Sequence, residues 1–161
     1  MPDETLELAA LIGKTLLDRG WQITCAESCT GGGVGYAFTS TPGSSAWFRK
    51  GFITYSNEAK QEMLNVSSKT LTEYGAVSSE TVKEMALGAA IAANAELAIS
   101  VSGIAGPDGG SPEKPVGTVW FGFAVCGEVV THKLKFSGDR QAVRIKAIEF
   151  ALSNILKLLT K

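Results

Sequence analysis

The chain has 161 residues, 15 of them Lys or Arg and 16 Asp or Glu, for a formal net charge of −1. That balance argues against a protein whose main task is gripping a phosphate backbone, which needs a basic field, so no nucleic-acid partner is expected. With 45% hydrophobic and 19% charged residues, the composition is that of a globular chain, and the length fits one domain over residues 1–161.

The cysteines Cys25, Cys29 and Cys126, with the lone His132, fit no zinc-ligand spacing. No metal and no other cofactor is expected, and the odd thiol count fits a reduced, cytoplasmic setting. Met1-Pro2-Asp3-Glu4 is acidic, so no secretory leader is expected, and no run of 18 apolar residues would span a membrane.

The spacing of Leu6, Ala9, Ala10, Leu16 and Leu17 predicts a helix over Asp3 to Arg19, stopped by Gly20. A short buried strand over Trp21 to Ala26 follows, then glycines and a second helix to about Thr39. Thr41-Pro42-Gly43 reads as a turn. Lys50 to Tyr55 is strand-like, and Asn57 is positioned to cap a helix over Glu58 to Leu64. Ser78 or Ser79 caps a long helix reaching Asn94. Leu97 to Val101 is a strand ending in a second glycine-rich loop, Ser102 to Gly110. Val116 to Val125 and Val129 to Phe136 form an antiparallel pair, and Asp139 to Leu159 is a closing amphipathic helix. This order predicts an α/β fold, a three-layer α/β/α sandwich around a mixed sheet.

Chemistry concentrates in three places. In Glu27-Ser28-Cys29-Thr30-Gly31-Gly32-Gly33, a buried strand runs through glycines into a helix start, whose unpaired N–H groups suit an anion or a developing oxyanion. Ser28 stands at the strand end, and a capping serine in a tight turn is the plain alternative. A serine nucleophile needs a base. His132 lies mid-strand on an apolar face and reads as structural, so a Ser-His-Asp triad is not expected. A desolvated lysine can take that role, and Lys60, after the strand end at Tyr55-Ser56-Asn57, is the best placed. A solvated helix lysine is the default reading of the same residue. The second loop also follows a buried strand, and two such loops fit one crevice at the carboxyl ends of the strands. Finally, Arg140 and Arg144 share a helical face near a helix start, where cations oppose the macrodipole. They suit a phosphate or carboxylate, or an ion pair with Asp139 or Glu149. Trp21, Trp47 and Trp120 read as packing or subunit contact.

Six strings in order, Ala26 to Gly32, Gly51 to Lys60, Gly75 to Ser78, Ser102 to Gly110, Lys114 to Val119 and Ser137 to Arg140, together resemble the CinA C-terminal domain family, and within it the stand-alone nicotinamide-nucleotide amidases. The resemblance implies hydrolysis of the carboxamide of nicotinamide mononucleotide to nicotinate mononucleotide and ammonia, in pyridine nucleotide recycling. It puts the catalytic serine at Ser28, the lysine base at Lys60, and Tyr55 beside that base to orient it or shuttle a proton. Backbone around Cys29, Thr30, Gly31 and Gly32 would stabilise the oxyanion. The loop residues Ser102, Gly103, Ala105 and Gly106, with Arg140 or Arg144, would hold the phosphate. For Lys60 to act as base, its pKa must fall well below the usual value of about 10.4. The alternative is a non-catalytic module that binds pyridine nucleotides alongside competence or DNA-damage proteins. Trp47, Phe48 and the leucine-rich closing helix suggest a homodimer.

Overall fold

The computed structural model describes residues 1–161. Helices α1 (Asp3–Arg19), α2 (Gly33–Thr39), α3 (Asn57–Leu64), α4 (Ser68–Tyr74), α5 (Ser79–Ala93) and α6 (Arg140–Leu159) surround strands β1 (Ile23–Glu27), β2 (Phe52–Ile53), β3 (Leu97–Gly103), β4 (Thr118–Val125) and β5 (Glu128–Lys135). The strand order is β2-β1-β3-β4-β5. β1 runs parallel to both β2 and β3, whereas β4 and β5 are antiparallel additions. The sheet is therefore mixed, as its alternation of crossovers and a tight hairpin requires.

Helix boundaries follow capping chemistry. α1 carries Asp3 and Glu4 in its first turn and closes on Gly20 at φ 68°, a left-handed position that suits glycine. α5 is capped by Ser78, whose hydroxyl accepts from the Thr81 N–H at 3.1 Å. At α3 the cap is Ser56 and not Asn57. Ser56 is extended and accepts from the Ala59 N–H at 3.0 Å, while Asn57 is already the first helical residue. The strand expected over Lys50 to Tyr55 pairs in register only at Phe52 and Ile53, and the Thr54 N–H adds one bond to the Glu27 carbonyl of β1 at 2.8 Å. α4 has no counterpart in the sequence reading. Its seven residues bury only Leu71, so its apolar period is too faint to read.

The two faces of the sheet differ in size. α1, α2 and α6 cover one face, over Ile99, Val101, Phe121 and Phe123. α3, α4 and α5 cover the other, where Ala26, Ala98 and Ala124 stand in the second core cluster. In register with them are Ser100 and Gly122, and Ser100 donates to the Val82 carbonyl of α5 at 2.6 Å. Small side chains let α5 lie close on the strands, and bulky ones fill the wider gap beneath α6. Trp47 belongs to the larger core. It is 1% exposed, with its ring edge-on to Phe38 at 5.6 Å between centroids, which removes it from any subunit contact. His132 is exposed on β5 and packs against the rings of Phe123 and Phe150.

The parallel strands β2, β1 and β3 all end at one edge. Ser28 directly follows β1, Tyr55 lies two residues beyond β2, and the second glycine loop begins at the end of β3. Ligands of open α/β sheets settle at this kind of edge.

Candidate active site

β1 is buried at every residue, and its last, Glu27, is 1% exposed. Glu27 reaches forward over the loop. Its Oε1 accepts from the Val34 N–H at 2.8 Å and its Oε2 from the Gly35 N–H at 3.0 Å. The carboxylate thus takes the first-turn donors of α2, whose end is denied to a ligand. The sequence reading passed over Glu27. An acid closing an otherwise uncharged buried strand, just before glycines and a helix, is the signal that would have found it.

Between Glu27 and α2 the chain makes two turns. The Gly31 N–H donates to the Ser28 carbonyl and the Gly33 N–H to the Thr30 carbonyl, both at 3.0 Å. Gly31 and Gly32 have φ of 57° and 104°, the left-handed values that β-carbon-bearing residues avoid. The N–H groups of Cys29, Thr30 and Gly32 donate to no protein acceptor.

Lys60 projects from α3 into this turn. It is 1% exposed, and its Nζ donates to the Thr54 carbonyl at 3.0 Å and to Ser28 Oγ at 3.2 Å. These residues lie 32 positions apart in the chain, and the β1–β2 pairing brings them together. The one ion pair in the molecule joins Lys69 and Glu73 within α4 and does not involve this amine. Burial without a carboxylate partner lowers the Lys60 pKa, since the charged form is the one that loses hydration. A thiolate at Cys29 would oppose that fall, but burial pushes the Cys29 thiol up to about 12, so its sulfur is uncharged at neutral pH. Cys25, within β1, is likewise raised well above the ordinary thiol range by burial and by Glu27.

A cleft of about 300 Å³ opens beside Ser28, at the small end of the usual range for ligand pockets. Cys29, Tyr55, Gly103, Ala105, Gly106 and Arg140 line it, so residues of both loops border one cleft. Ile104, Asp108 and Gly109 also line it, and the sequence reading had not singled them out. Ser102 does not, because β3 runs on to Gly103 and leaves Ser102 inside the sheet, 1% exposed. In the second loop the N–H groups of Ala105, Gly106, Asp108, Gly109 and Gly110 have no protein acceptor, and unpaired backbone donors in a glycine-rich loop can serve an anion.

The two arginines part company. Arg140 faces the cleft and donates to the Gly106 carbonyl at 2.8 Å and to the Tyr55 hydroxyl at 2.9 Å. Tyr55 is thereby tied to Arg140 and makes no hydrogen bond to Lys60; the amine's backbone partner is Thr54. Arg144, one turn on, donates through Nε to the Cys29 carbonyl at 3.0 Å and through Nη2 to the Thr30 carbonyl at 3.4 Å, and it does not line the cleft. Neither arginine pairs with Asp139 or Glu149. Asp139 instead caps α6 by accepting from the Ala142 N–H.

The CinA C-terminal domain profile matches residues 5–159. A nicotinamide-nucleotide amidohydrolase PncC of Enterobacter agglomerans is 61% identical over 152 residues, covering 94% of this chain and 93% of that protein. The protein of the same name from Escherichia coli K12 is 56% identical over 153 residues, with the same shares covered. The crystal structure of competence/damage inducible protein CihA from Agrobacterium tumefaciens superposes with a TM-score of 0.96 at 41% identity, covering 100% of this chain and 98% of that one. A profile match over nearly every residue, close relatives of the same length and one shared architecture lead to a single conclusion: the chain belongs to the CinA C-terminal domain family.

Proposed function

We propose that the protein is an amidase that hydrolyses the carboxamide of nicotinamide mononucleotide to nicotinate mononucleotide and ammonia, with Ser28 as nucleophile and Lys60 as general base. One observation carries the reading: a buried lysine amine, free of any carboxylate, 3.2 Å from the hydroxyl of Ser28 at the mouth of a cleft. The substrate comes from the relatives' name, nicotinamide-nucleotide amidohydrolase. The alternative of a non-catalytic nucleotide sensor gives no reason to bury an unpaired amine against a serine.

In this mechanism neutral Lys60 accepts the Ser28 proton as Oγ attacks the amide carbon. The carbonyl oxygen gains negative charge and is held by the unpaired N–H groups of Cys29 and Thr30. The C–N bond breaks as Lys60 returns the proton to the departing nitrogen, releasing ammonia and leaving a nicotinoyl ester on Ser28. Water then attacks the ester while Lys60 takes its proton, and the acid product leaves with Oγ reprotonated. The free donors of the second loop and the remaining N–H groups of Arg140 hold the phosphate. Tyr55, bonded to Arg140, helps orient that arginine. The enzyme acts in the cytoplasm, and exposed Leu11 and Leu17 on α1 support self-association as a homodimer.

Ammonia release from nicotinamide mononucleotide, nicotinamide riboside and glutamine tests the reading. Turnover should be fastest with the mononucleotide and vanish in Ser28→Ala, while calorimetry still detects binding of nicotinate mononucleotide. Ammonia production by Ser28→Ala at the wild-type rate would remove Ser28 as nucleophile, and preference for another amide would remove the substrate assignment.

A further inference from the structure

Arg144 is a partly buried cation whose guanidinium is committed to two main-chain carbonyls of the Ser28 loop. A peptide unit is planar and trans, so fixing the direction of one carbonyl fixes the following N–H in the opposite direction. Holding the Cys29 carbonyl therefore aims the Thr30 N–H away from the guanidinium. The neighbouring peptide is fixed in the same manner, since the Ser28 carbonyl accepts from Gly31 and sets the direction of the Cys29 N–H. These are two of the three loop donors that have no protein acceptor. A β-carbon on Gly31 would stand 3.1 Å from Arg144 Nη2, so the guanidinium lies against the turn itself. At the far end of the loop, Glu27 holds Val34 and Gly35. The segment carrying the nucleophile is thus bracketed by one buried anion and one cation, each bonded to backbone.

We propose that Arg144 is a positioning residue of the oxyanion site: it locks the Cys29–Gly31 backbone so that the Cys29 and Thr30 N–H groups stay free and aimed for the tetrahedral intermediate, and it takes no part in binding the phosphate. This deepens the amidase reading and rests on it. A lysine cannot replace Arg144 fully, because a single ammonium lacks the planar fork that reaches both carbonyls.

The experiment compares wild type, Arg144→Met and Arg144→Lys by steady-state ammonia release from nicotinamide mononucleotide, by calorimetric Kd for nicotinate mononucleotide, and by thermal melting. Arg144→Met should lose roughly 100- to 1,000-fold in kcat, the scale of a lost oxyanion donor, with KM and product Kd within about threefold of wild type on the scale of that loss. Arg144→Lys should fall between the two. A folded Arg144→Met with kcat within threefold of wild type overturns the proposal. So does a product Kd weakened tenfold or more, which would make Arg144 a phosphate ligand. Should Arg144→Met not fold, Arg144→Lys decides by the same two criteria. Absence of ammonia from wild type would instead topple the amidase reading and this inference with it, whereas active wild type beside an equally active Arg144→Met sinks only the role of Arg144.

Discussion

Gly88, in the middle of α5, controls how closely α3 approaches. A β-carbon there would meet the backbone of Leu64, the last residue of α3, at 2.8 Å from its carbonyl carbon and 3.1 Å from its Cα, with the carbonyl oxygen nearer still. In an exposed helix, Gly→Ala gains about 1 kcal/mol from helix propensity. Here the sign should reverse. Bringing the carbon contact from 2.8 Å to the 3.4 Å of ordinary packing needs a shift of at least 0.6 Å, and the obstacle is backbone, which cannot rotate away. Overpacking of this kind costs about 1–3 kcal/mol. For a chain of this size that lowers Tm by roughly 3–10 °C. The displacement also acts one helical turn from Lys60, whose own carbonyl accepts from the Val66 N–H just past the end of α3. Since the Nζ–Oγ contact of 3.2 Å has little slack, and misplacement by about 1 Å can cost 100-fold in rate, Gly88→Ala should lower kcat roughly 10- to 100-fold. Differential scanning calorimetry and ammonia release on the same preparation read both effects. A Gly88→Ala protein with wild-type Tm and wild-type kcat would refute the claim that this contact sets the position of α3.

Three further outcomes follow from the same geometry. Because burial lowers the Lys60 pKa, kcat/KM should rise with pH through that lowered value and then level off; a profile falling over the same range would exclude a neutral amine as base. The same shift makes stability depend on pH. Between the folded-state pKa and the ordinary value near 10.4 the unfolded chain binds more protons, so the penalty for burying Lys60 is greatest at low pH and is relieved as pH rises through this window. Relative to Lys60→Met, wild type should therefore gain Tm on going from neutral to alkaline pH, and a constant difference between the two melting curves would contradict this. Glu27→Gln should cost about 1.5–3 kcal/mol, the scale of hydrogen bonds to a charged group, because an amide can accept from only one of Val34 and Gly35 and turns a donor toward the other; urea unfolding with an unchanged midpoint would show that Glu27 does not hold α2.

What the sequence by itself determined are the features decided within a few residues. α1 could be read from Asp3 to Arg19 because its apolar period and the Gly20 stop lie in the chain itself. The layer order followed from the alternation of elements, and the family strings pointed to both loops and to Ser28 and Lys60 as a pair to consider. Which donors and acceptors those residues use was decided only by the tertiary structure. Lys60 loses its water because α3 is drawn onto α5 and its amine reaches in to Ser28 and Thr54, and no local pattern reports that it meets no carboxylate there. Arg140 and Arg144 look alike in sequence, four residues apart on one helix, yet one borders the cleft and the other grips loop carbonyls, because the Ser28 loop passes beneath only one of them. Periodicity and capping are short-range and can be read along the chain. Burial, and the partner a charged group finds once it is buried, depend on segments far apart in sequence and exist only when the layers close.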